Sequence, residues 1–217
     1  MAPADRPAVV VERPTTSDVP ELVAIWWDAF GAEALQRIFP QTPDGRRFIE
    51  RSFEKFLGPA PGPGEIRTEC LVVRSPDTGV PASMAIYHIV PEGCSAAKRA
   101  WRARWPAFDD LSDLSDAVLN GFFSPMEKAH EHVVGDRGHV FLEVLATKKQ
   151  FQKKGYGTAL LRRGNDLADQ LGVECYLDAS VVGKPLYEAN GYVERDVSAV
   201  VEKQVSASML RPKKIQG

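Results

Sequence analysis

Cysteine is scarce in this chain, which has three in 217 residues: Cys70, Cys94 and Cys175. Their odd number and wide spacing predict neither a disulfide framework nor a zinc site. Long apolar runs are missing too, since no stretch approaches the ~20 apolar residues that a membrane-spanning helix needs, and residues 1–10 carry no apolar signal core. No membrane partner is therefore expected, and a reducing, cytoplasmic location is the default prediction.

The chain also lacks a large net charge. The formal balance is −2 at pH 7, and the sequence pI is about 6.1. This charge gives no general attraction to nucleic acid, so nucleic acid is not an expected partner. Hydrophobic residues make up 44% of the chain and charged residues 26%, which is ordinary for a globular protein. The length suits a single domain over residues 1–217, with room for an insertion.

The most informative stretch of the chain begins at residue 140. Residues 140–145 form an apolar run that predicts a buried strand of the parallel-sheet type, with one carboxylate, Glu143, in its middle. Further on, apolar residues recur at spacings of three, four and seven, which predicts a helix with one side facing a core. These residues are Leu160, Leu161, Leu167, Ala168 and Leu171.

Between the predicted strand and helix lies a basic, glycine-bearing turn. It carries four lysines: Lys148, Lys149, Lys153 and Lys154. The first N–H groups of a helix have no intrahelical partner and the helix dipole is positive there, so the expected ligand is a phosphate. A Walker A loop is excluded because Gly155 is followed by Tyr156 and Gly157. A dinucleotide fingerprint is excluded because Leu160 stands where its third glycine is needed.

Residues 152–157 fit the pattern Gln/Arg-x-x-Gly-x-Gly/Ala and resemble the coenzyme A pyrophosphate loop of the GCN5-related N-acetyltransferase (GNAT) family. Residues 145–147 resemble the end of that family's splayed central strand, and residues 175–179 are interpreted as the next strand. Residues 186–192 resemble its Leu-Tyr-Glu-x-x-Gly-Phe/Tyr element. The resemblance implies an α/β GNAT fold, with a mixed central sheet that is splayed between two strands and flanked by helices.

The resemblance also implies acetyl-CoA as cosubstrate. The main-chain N–H groups of Leu145, Ala146 and Thr147 would bind the pantetheine arm and polarise the thioester carbonyl. Two positions depart from the family pattern: Lys149 stands where many members have proline, and Lys153 where many have glycine. Neither removes a backbone donor, but the loop geometry and the 3′-phosphate contacts stay open. The pyrophosphate would lie on the turn formed by Gln152, Lys153, Lys154, Gly155, Tyr156, Gly157 and Thr158. Ser180 takes the place of an asparagine that contacts pantetheine in many members.

Two residues are candidates for proton transfer. Burying a carboxylate is costly unless it is paired, so Glu143 needs a reason to lie in an apolar strand. A partly desolvated Glu143 with a raised pKa would take the proton of an acceptor ammonium; a structural salt bridge or an outward-facing position is the alternative. Tyr187 matches the family's general-acid tyrosine, and its intrinsic pKa of ~10 suits protonation of a thiolate whose pKa is ~8.5. Its alternative is a buried tyrosine that only packs against the cofactor.

Histidine does not form a recognisable metal motif. His130 and His132 are two apart with no third ligand candidate nearby, so we expect no metal and interpret the pair as a solvated helix end. His88 is a candidate base within a predicted strand, but a lone strand histidine is more often packed or hydrogen-bonded.

Further helices and strands are predicted on both sides of this stretch. The predicted elements are a strand at 9–11, caps at 15–18, helices at 19–30 and 44–57, a hairpin of strands at 71–73 and 84–90, and a closing hairpin at 192–200 and 203–209. Residues 93–138 are an insertion, expected to lie near the acceptor end of the cleft, where it would shape specificity or act as a lid. The equal alternative is that it covers exposed sheet or forms a dimer contact, so a homodimer stays open.

The function predicted by this reasoning is direct acetyl transfer from acetyl-CoA to a primary amine, since no cysteine is placed as a nucleophile. A small-molecule amine is the favoured acceptor, because the chain lacks an obvious peptide-binding module. The alternatives are a protein lysine or N-terminal acetyltransferase, and a non-catalytic acyl-CoA-binding member of the family.

Overall fold

The computed structural model describes residues 9–31, 33–59, 61–202 and 206–214. Within them, six strands form one sheet in the order β1-β2-β3-β4-β6-β5. The strands are β1 (Arg67–Arg74), β2 (Pro81–Val90), β3 (His139–Thr147), β4 (Glu174–Ala179), β5 (Val193–Glu194) and β6 (Ala207–Arg211). The helices are α1 (Val19–Phe30), α2 (Glu33–Gln36), α3 (Pro43–Phe56), α4 (Ala96–Arg99), α5 (Trp101–Arg104), α6 (Asp116–Val134), α7 (Tyr156–Leu171) and α8 (Lys184–Glu188). No helix in this part of the chain is long and apolar enough to cross a membrane.

The sheet is mixed and opens between its two central strands. β3 and β4 are parallel, while the other neighbouring strands pair antiparallel. The parallel pairing begins at His139↔Glu174 and ends at Leu142↔Leu177, although β3 continues to Thr147. Beyond these pairs the two strands part. The prediction of an α/β sheet splayed between two strands and flanked by helices is therefore confirmed.

Each face of the sheet carries its own apolar core. On one face, α7 packs against a cluster that includes Leu142, Leu160 and Leu177. On the other face, α1, α3 and the insertion pack around Val144 and Trp105. Alternate residues of a strand point to opposite faces, so one strand supplies side chains to both cores. The helix predicted after the glycine turn is α7, and of the residues predicted to face the core, Leu171 is 46% exposed because it falls in the last turn.

The insertion is part of the core. Trp105 is 1% exposed and its ring contacts Trp26 of α1, Phe48 of α3 and Phe56 of α3 at centroid distances of 5.7, 6.0 and 5.1 Å. Trp101 stacks on Phe123 of α6 at 4.7 Å. These contacts favour the alternative in which residues 93–138 cover one face of the sheet.

Two predicted strands at the ends of the chain differ from the structure. Residues 9–11 form no strand, and only Glu12 makes an isolated bridge, to Val72 of β1. Pro14 limits pairing beyond Glu12, because proline offers no N–H and restrains the residue before it. In the closing hairpin, β5 ends at Glu194 rather than residue 200, and β6 extends to Arg211. Residues 203–205 of that prediction lie outside the described part of the chain.

Candidate active site

A bulge marks the point where the central sheet opens. The pairing of β2 with β3 passes from Ile86↔Val144 to Tyr87↔Leu142, so Glu143 is an extra residue on β3. Leu142 is also the last residue of β3 that pairs with β4. The bulge and the opening therefore coincide at the one carboxylate of this strand.

Main-chain amides of β3 face the opening. The N–H of Lys148 donates to the carbonyl of Ala82 at 3.0 Å, which fixes the phase of the antiparallel ladder with β2. In such a ladder the N–H groups alternate in direction, so Ala146 points to β2 while Leu145 and Thr147 point to the open side. Of the three residues predicted to bind the pantetheine arm, two thus direct their amides towards the opening.

The turn after β3 presents a row of amides. At the end of a short 3-10 turn (Lys149–Phe151), the N–H of Gln152 donates to the carbonyl of Lys149 at 3.2 Å. The first bond of α7 runs from the N–H of Ala159 to the carbonyl of Gly155 at 2.9 Å. The N–H groups of residues 156–158 precede that bond and have no intrahelical acceptor. This start of α7 has the donor set and dipole direction that bind phosphate.

Side chains hold the turn against the strand and α1. The side-chain amide of Gln152 donates to the carbonyl of Thr147 at 3.3 Å, so this residue braces the strand end. The Lys148 ammonium pairs with Glu21 of α1 at 2.7 Å, and the N–H of Lys149 donates to Asp28 of the same helix. Lys148, through its side chain, and Lys149, through its main-chain N–H, therefore anchor the turn to α1. The position of the amides is fixed by contacts that do not need a ligand.

Lys153 occupies a conformation that suits glycine. Its φ is 60°, and no other non-glycine residue in the described ranges has a positive φ. Gly155 has φ 88° and caps α7. The left-handed conformation at residue 153 gives a physical reason for the glycine that many family members carry there.

Replacing Lys153 with glycine is expected to stabilise the fold by about 0.5–1 kcal/mol. Glycine avoids the ~1–2 kcal/mol that an L-residue loses in the left-handed region, and part of this gain is offset by the greater freedom of the unfolded chain. Urea unfolding measures the change. The matched control is Lys154→Gly at the next position, where φ is not positive and the substitution should destabilise instead. A Lys153→Gly variant as unstable as the control would contradict the loop geometry.

Glu143 is sealed inside a polar cluster. Its carboxylate is bound by the guanidinium of Arg104 and accepts a hydrogen bond from the indole of Trp105 at 2.9 Å. His88 Nε2 lies 3.4 Å from the same group, which is an electrostatic contact rather than a hydrogen bond. The side chain of Glu143 is 6% exposed.

The predicted rise in the pKa of Glu143 is wrong. Burial alone would raise it, but the charge of Arg104 and the contacts of His88 and Trp105 outweigh burial and lower the pKa to about 2. The sequence alone does not show that Arg104 meets Glu143, because 39 residues separate them. Glu143 is therefore ionised throughout the neutral range.

Three of the four histidines lie in the interior: His88, His130 and His139. His88 is 2% exposed, its Nδ1 lies 3.1 Å from the hydroxyl of Thr68, and burial lowers its pKa. This confirms that it is packed and hydrogen-bonded. The prediction of a solvated helix end is wrong for His130, which is buried with its Nε2 2.8 Å from that of His139, whereas His132 is exposed. The described residues contain no group of three or more potential ligands placed to hold a metal ion.

Tyr187 lies on the face of the sheet covered by α7. It is 9% exposed and packs with the apolar cluster that includes Leu160 and Ala179. Burial raises the pKa of Tyr187 to about 12, so its hydroxyl keeps its proton at neutral pH. Ser180, between β4 and α8, accepts a hydrogen bond from the N–H of Gly183 at 3.1 Å and so shapes the turn before Tyr187.

One residue that the sequence reasoning did not single out lies opposite Glu143. Asp178 follows Leu177, the last residue of β4 that pairs with β3. Burial raises the pKa of Asp178 to about 7. The sequence feature that could have identified Asp178 is the one that identified Glu143: a carboxylate inside an apolar predicted strand, here residues 175–179.

Comparisons with known proteins agree with this geometry. Residues 22–192 match the model of the Acetyltransferase (GNAT) family. A search of the curated proteins gives no significant match.

Several solved structures share the fold. A structure described as histone acetyltransferase HPA2 and related acetyltransferase from Corynebacterium glutamicum is 20% identical, with a TM-score of 0.59 over 97% of this chain and 99% of that chain. Arylalkylamine N-acetyltransferase 2 from Aedes aegypti is 13% identical, with a TM-score of 0.64 over 96% of this chain and 100% of that one. PaiA N-acetyltransferase from Thermoplasma acidophilum, in complex with coenzyme A, is 12% identical, with a TM-score of 0.54 over 95% and 99% of the two chains.

The matched region contains the opened strand, the glycine turn, α7 and α8, and it spans most of the chain. The chain therefore belongs to the GNAT family of acetyl-CoA-dependent N-acetyltransferases.

Proposed function

We propose that this acetyltransferase transfers the acetyl group directly from acetyl-CoA to the primary amine of a small molecule. The observation that carries the proposal is the opening between β3 and β4, which ends at a turn of unpaired amides. A thioester in this opening would be polarised by the N–H groups of Leu145 and Thr147. The diphosphate would lie on the N–H groups of residues 153–158 at the start of α7. Ala146, Gln152 and Ser180 support this site by shaping the strand and the two turns.

The chemistry needs a proton for the departing thiolate. Tyr187 is assigned this role because it is protonated at neutral pH and lies on the α7 face, next to the proposed cofactor site. Glu143 is ionised, and its charge is compensated by the guanidinium of Arg104. Its use as a proton acceptor requires that Arg104 move away.

Direct transfer is supported by the state of the cysteines. All three are buried. Burial raises the pKa of Cys70 to about 12 and that of Cys175 to about 11, so both are thiols rather than thiolates at neutral pH. A thiol of this kind is a poor nucleophile, which disfavours an acyl-enzyme at these positions.

A small acceptor is supported by the insertion. Residues 101–105 pack over the sheet beside Glu143 and bury Trp105. This covering leaves less open surface on that face for an extended peptide. Among the structural neighbours, the mosquito protein is described as an arylalkylamine N-acetyltransferase, and another neighbour as a ribosomal-protein-S18-alanine N-acetyltransferase. Protein acetylation is therefore the acceptor class to test against small amines.

The Tyr187→Phe variant is expected to lower the turnover rate by about 10²-fold, since a positioned acid contributes on that order. Acetyl-CoA affinity should be retained, because the amides that bind it are untouched. Thiol release measures turnover with a panel of arylalkylamines, polyamines, amino acids, aminoglycosides and histone peptides, and calorimetry measures binding. The matched control is Tyr192→Phe, since the Tyr192 hydroxyl donates to Asn165 at 2.8 Å and serves packing.

Full turnover in Tyr187→Phe would remove its assigned role. Acetyl-CoA binding without thiol release from any member of the panel would instead favour a non-catalytic acyl-CoA-binding protein. Thiol release with the histone peptides alone would indicate that the acceptor is a protein.

A further inference from the structure

Two carboxylates flank the opening of the sheet, one on each strand. The parallel register ends at Leu142↔Leu177, so Glu143 and Asp178 are the first residues beyond the last pair. Leu177 and Ala179 pack against the α7 face. Side chains alternate along a strand, so Asp178 points to the opposite face, the one that carries α6 and the insertion. Glu143 meets Trp105 on that same face.

The surroundings of the two carboxylates differ sharply. Glu143 is bound by a guanidinium and an indole. In the described part of the chain, Asp178 accepts hydrogen bonds from hydroxyl groups alone, and all of them reach the same oxygen, Oδ1. They are those of Tyr176 at 3.0 Å, Ser208 at 3.3 Å and Ser206 at 3.4 Å. Among the described residues, no hydrogen bond reaches Oδ2.

We propose that Asp178 is the proton acceptor for the incoming amine, a role that rests on the function proposed above. One of its oxygens is held by three hydroxyls, no hydrogen bond from a described residue reaches the other, and Asp178 is the first residue of β4 beyond the last pair with β3. Proton transfer takes place directly or through one water. Beneath α6, Asp178 lines a cavity of about 10 Å³ with Met126, Ser206 and Ser208, which is close to the room that one water occupies.

The proton and electron balance of the reaction is simple. The acceptor ammonium gives one proton to the Asp178 carboxylate and becomes a neutral amine. The amine nitrogen forms a C–N bond with the thioester carbonyl carbon, and the C–S bond breaks with its electron pair on sulfur. Sulfur takes a proton from Tyr187, which regains one from the nitrogen as the amide forms. The proton on Asp178 then returns to solvent.

The pKa values of the two carboxylates are shifted in opposite directions. Burial raises the pKa of Asp178 to about 7, and the charge of Glu143 raises it further, against the hydrogen bonds of Tyr176 and Ser208 and the charge of Arg104. From α6, His130 stacks on Tyr176 at 4.3 Å and is neutral, because burial lowers its pKa. Glu143 has a pKa of about 2. Paired groups whose pKa values are pushed apart in this way divide acid–base roles between them.

The test is the pH dependence of kcat/KM for thiol release, measured with acetyl-CoA and whichever of 2-phenylethylamine and spermidine reacts faster. Wild type should lose activity on the acidic side with an apparent pKa near 7. The Asp178→Asn variant should lose that limb, together with about 10²–10⁴-fold in rate. Tyr176→Phe should move the limb to higher pH, because the ionised carboxylate loses a donor. Glu143→Gln should move it to lower pH, because a neighbouring negative charge is removed.

An acidic limb that persists unchanged in Asp178→Asn overturns the proposal and leaves Asp178 as a packing residue. A second measurement does not need turnover: the carboxyl carbon of Asp178, followed by NMR and assigned with Asp178→Asn, should titrate near pH 7 in unliganded wild type. Titration below pH 5 overturns the proposal as well. Absence of thiol release in wild type would count against the proposed function, and the NMR titration would still decide the protonation state of Asp178.

Discussion

The Arg104→Met variant is expected to be less stable than wild type by about 3–5 kcal/mol, the usual loss when one partner of a buried ion pair is removed. Arg104 and Glu143 are 9% and 6% exposed, so the remaining carboxylate would stay in the interior without its cation. Methionine keeps the length and much of the apolar contact of the arginine stem. Urea unfolding followed by tryptophan fluorescence measures the change.

Two controls define the origin of that loss. Lys98→Met removes an exposed ion pair with Glu65, whose partners are 49% and 44% exposed, and should cost at most about 1 kcal/mol. Glu143→Gln in the Arg104→Met background removes the uncompensated charge and should recover much of the stability. A single variant Arg104→Met as stable as Lys98→Met would contradict the buried pair.

The effect of Arg104→Met should also depend on pH. The folded-state pKa of Glu143 is lowered to about 2 from 4.5, so its contribution to stability is present above pH 4.5 and is lost as the pH falls towards 2. Without Arg104 the largest cause that lowers this pKa is lost, so the pKa would rise and protonation would relieve the variant. The stability difference between the two proteins should therefore be largest at neutral pH and shrink below pH 4.

The Gly164→Ala variant is expected to lose about 2–3 kcal/mol, because overpacking a closely packed core has costs of this order. A Cβ on Gly164 of α7 would lie 2.3 Å from Cζ of Tyr87, a contact that requires a shift of the helix or the ring. The ring cannot move easily, since Tyr87 is 1% exposed and its hydroxyl donates to the carbonyl of Leu160 at 3.0 Å. α7 carries the proposed phosphate site, so displacement of the helix should also weaken acetyl-CoA binding.

Gly121→Ala provides the matched control for this substitution. Gly121 lies inside α6, and a Cβ there would meet nothing within 4 Å. Alanine at this position should stabilise the helix by about 0.5–1 kcal/mol. Thermal unfolding of both variants gives the comparison, and equal effects at the two glycines would contradict the close approach of α7 to β2.

The sequence predicted the part of the fold that depends on local pattern. The apolar run around Glu143, the glycine turn and the period of α7 are each readable from neighbouring residues. The bulge at Glu143 and the end of pairing at Leu142↔Leu177 depend on two other strands, and no local pattern specifies them. The same holds at the N-terminal end of the described chain, where the apolar residues 9–11 have β-propensity but form no strand.

The protonation states could not be predicted for a similar reason. The pKa of Glu143 is set by Arg104, and that of Asp178 by burial beneath α6 and β6, and these groups come from distant parts of the chain. The sequence correctly marked a carboxylate in an apolar strand as unusual. It did not show which of the two such carboxylates keeps a cation and which is left with hydroxyl groups.

The residues proposed for proton transfer lie on both faces of the sheet. Tyr187 lies on the α7 face, while Glu143 and Asp178 belong to the face covered by the insertion. The proposed acid and the proposed base therefore belong to opposite faces of the sheet.

A crystal structure of the protein with acetyl-CoA tests the central claim most directly. The claim is that main-chain amides hold the acyl carrier at the opening of the sheet. The diphosphate is expected on the N–H groups of residues 153–158, with the thioester carbonyl against the amides of Leu145 and Thr147. A cofactor bound at any other surface, with the gap between β3 and β4 left empty, would contradict the account.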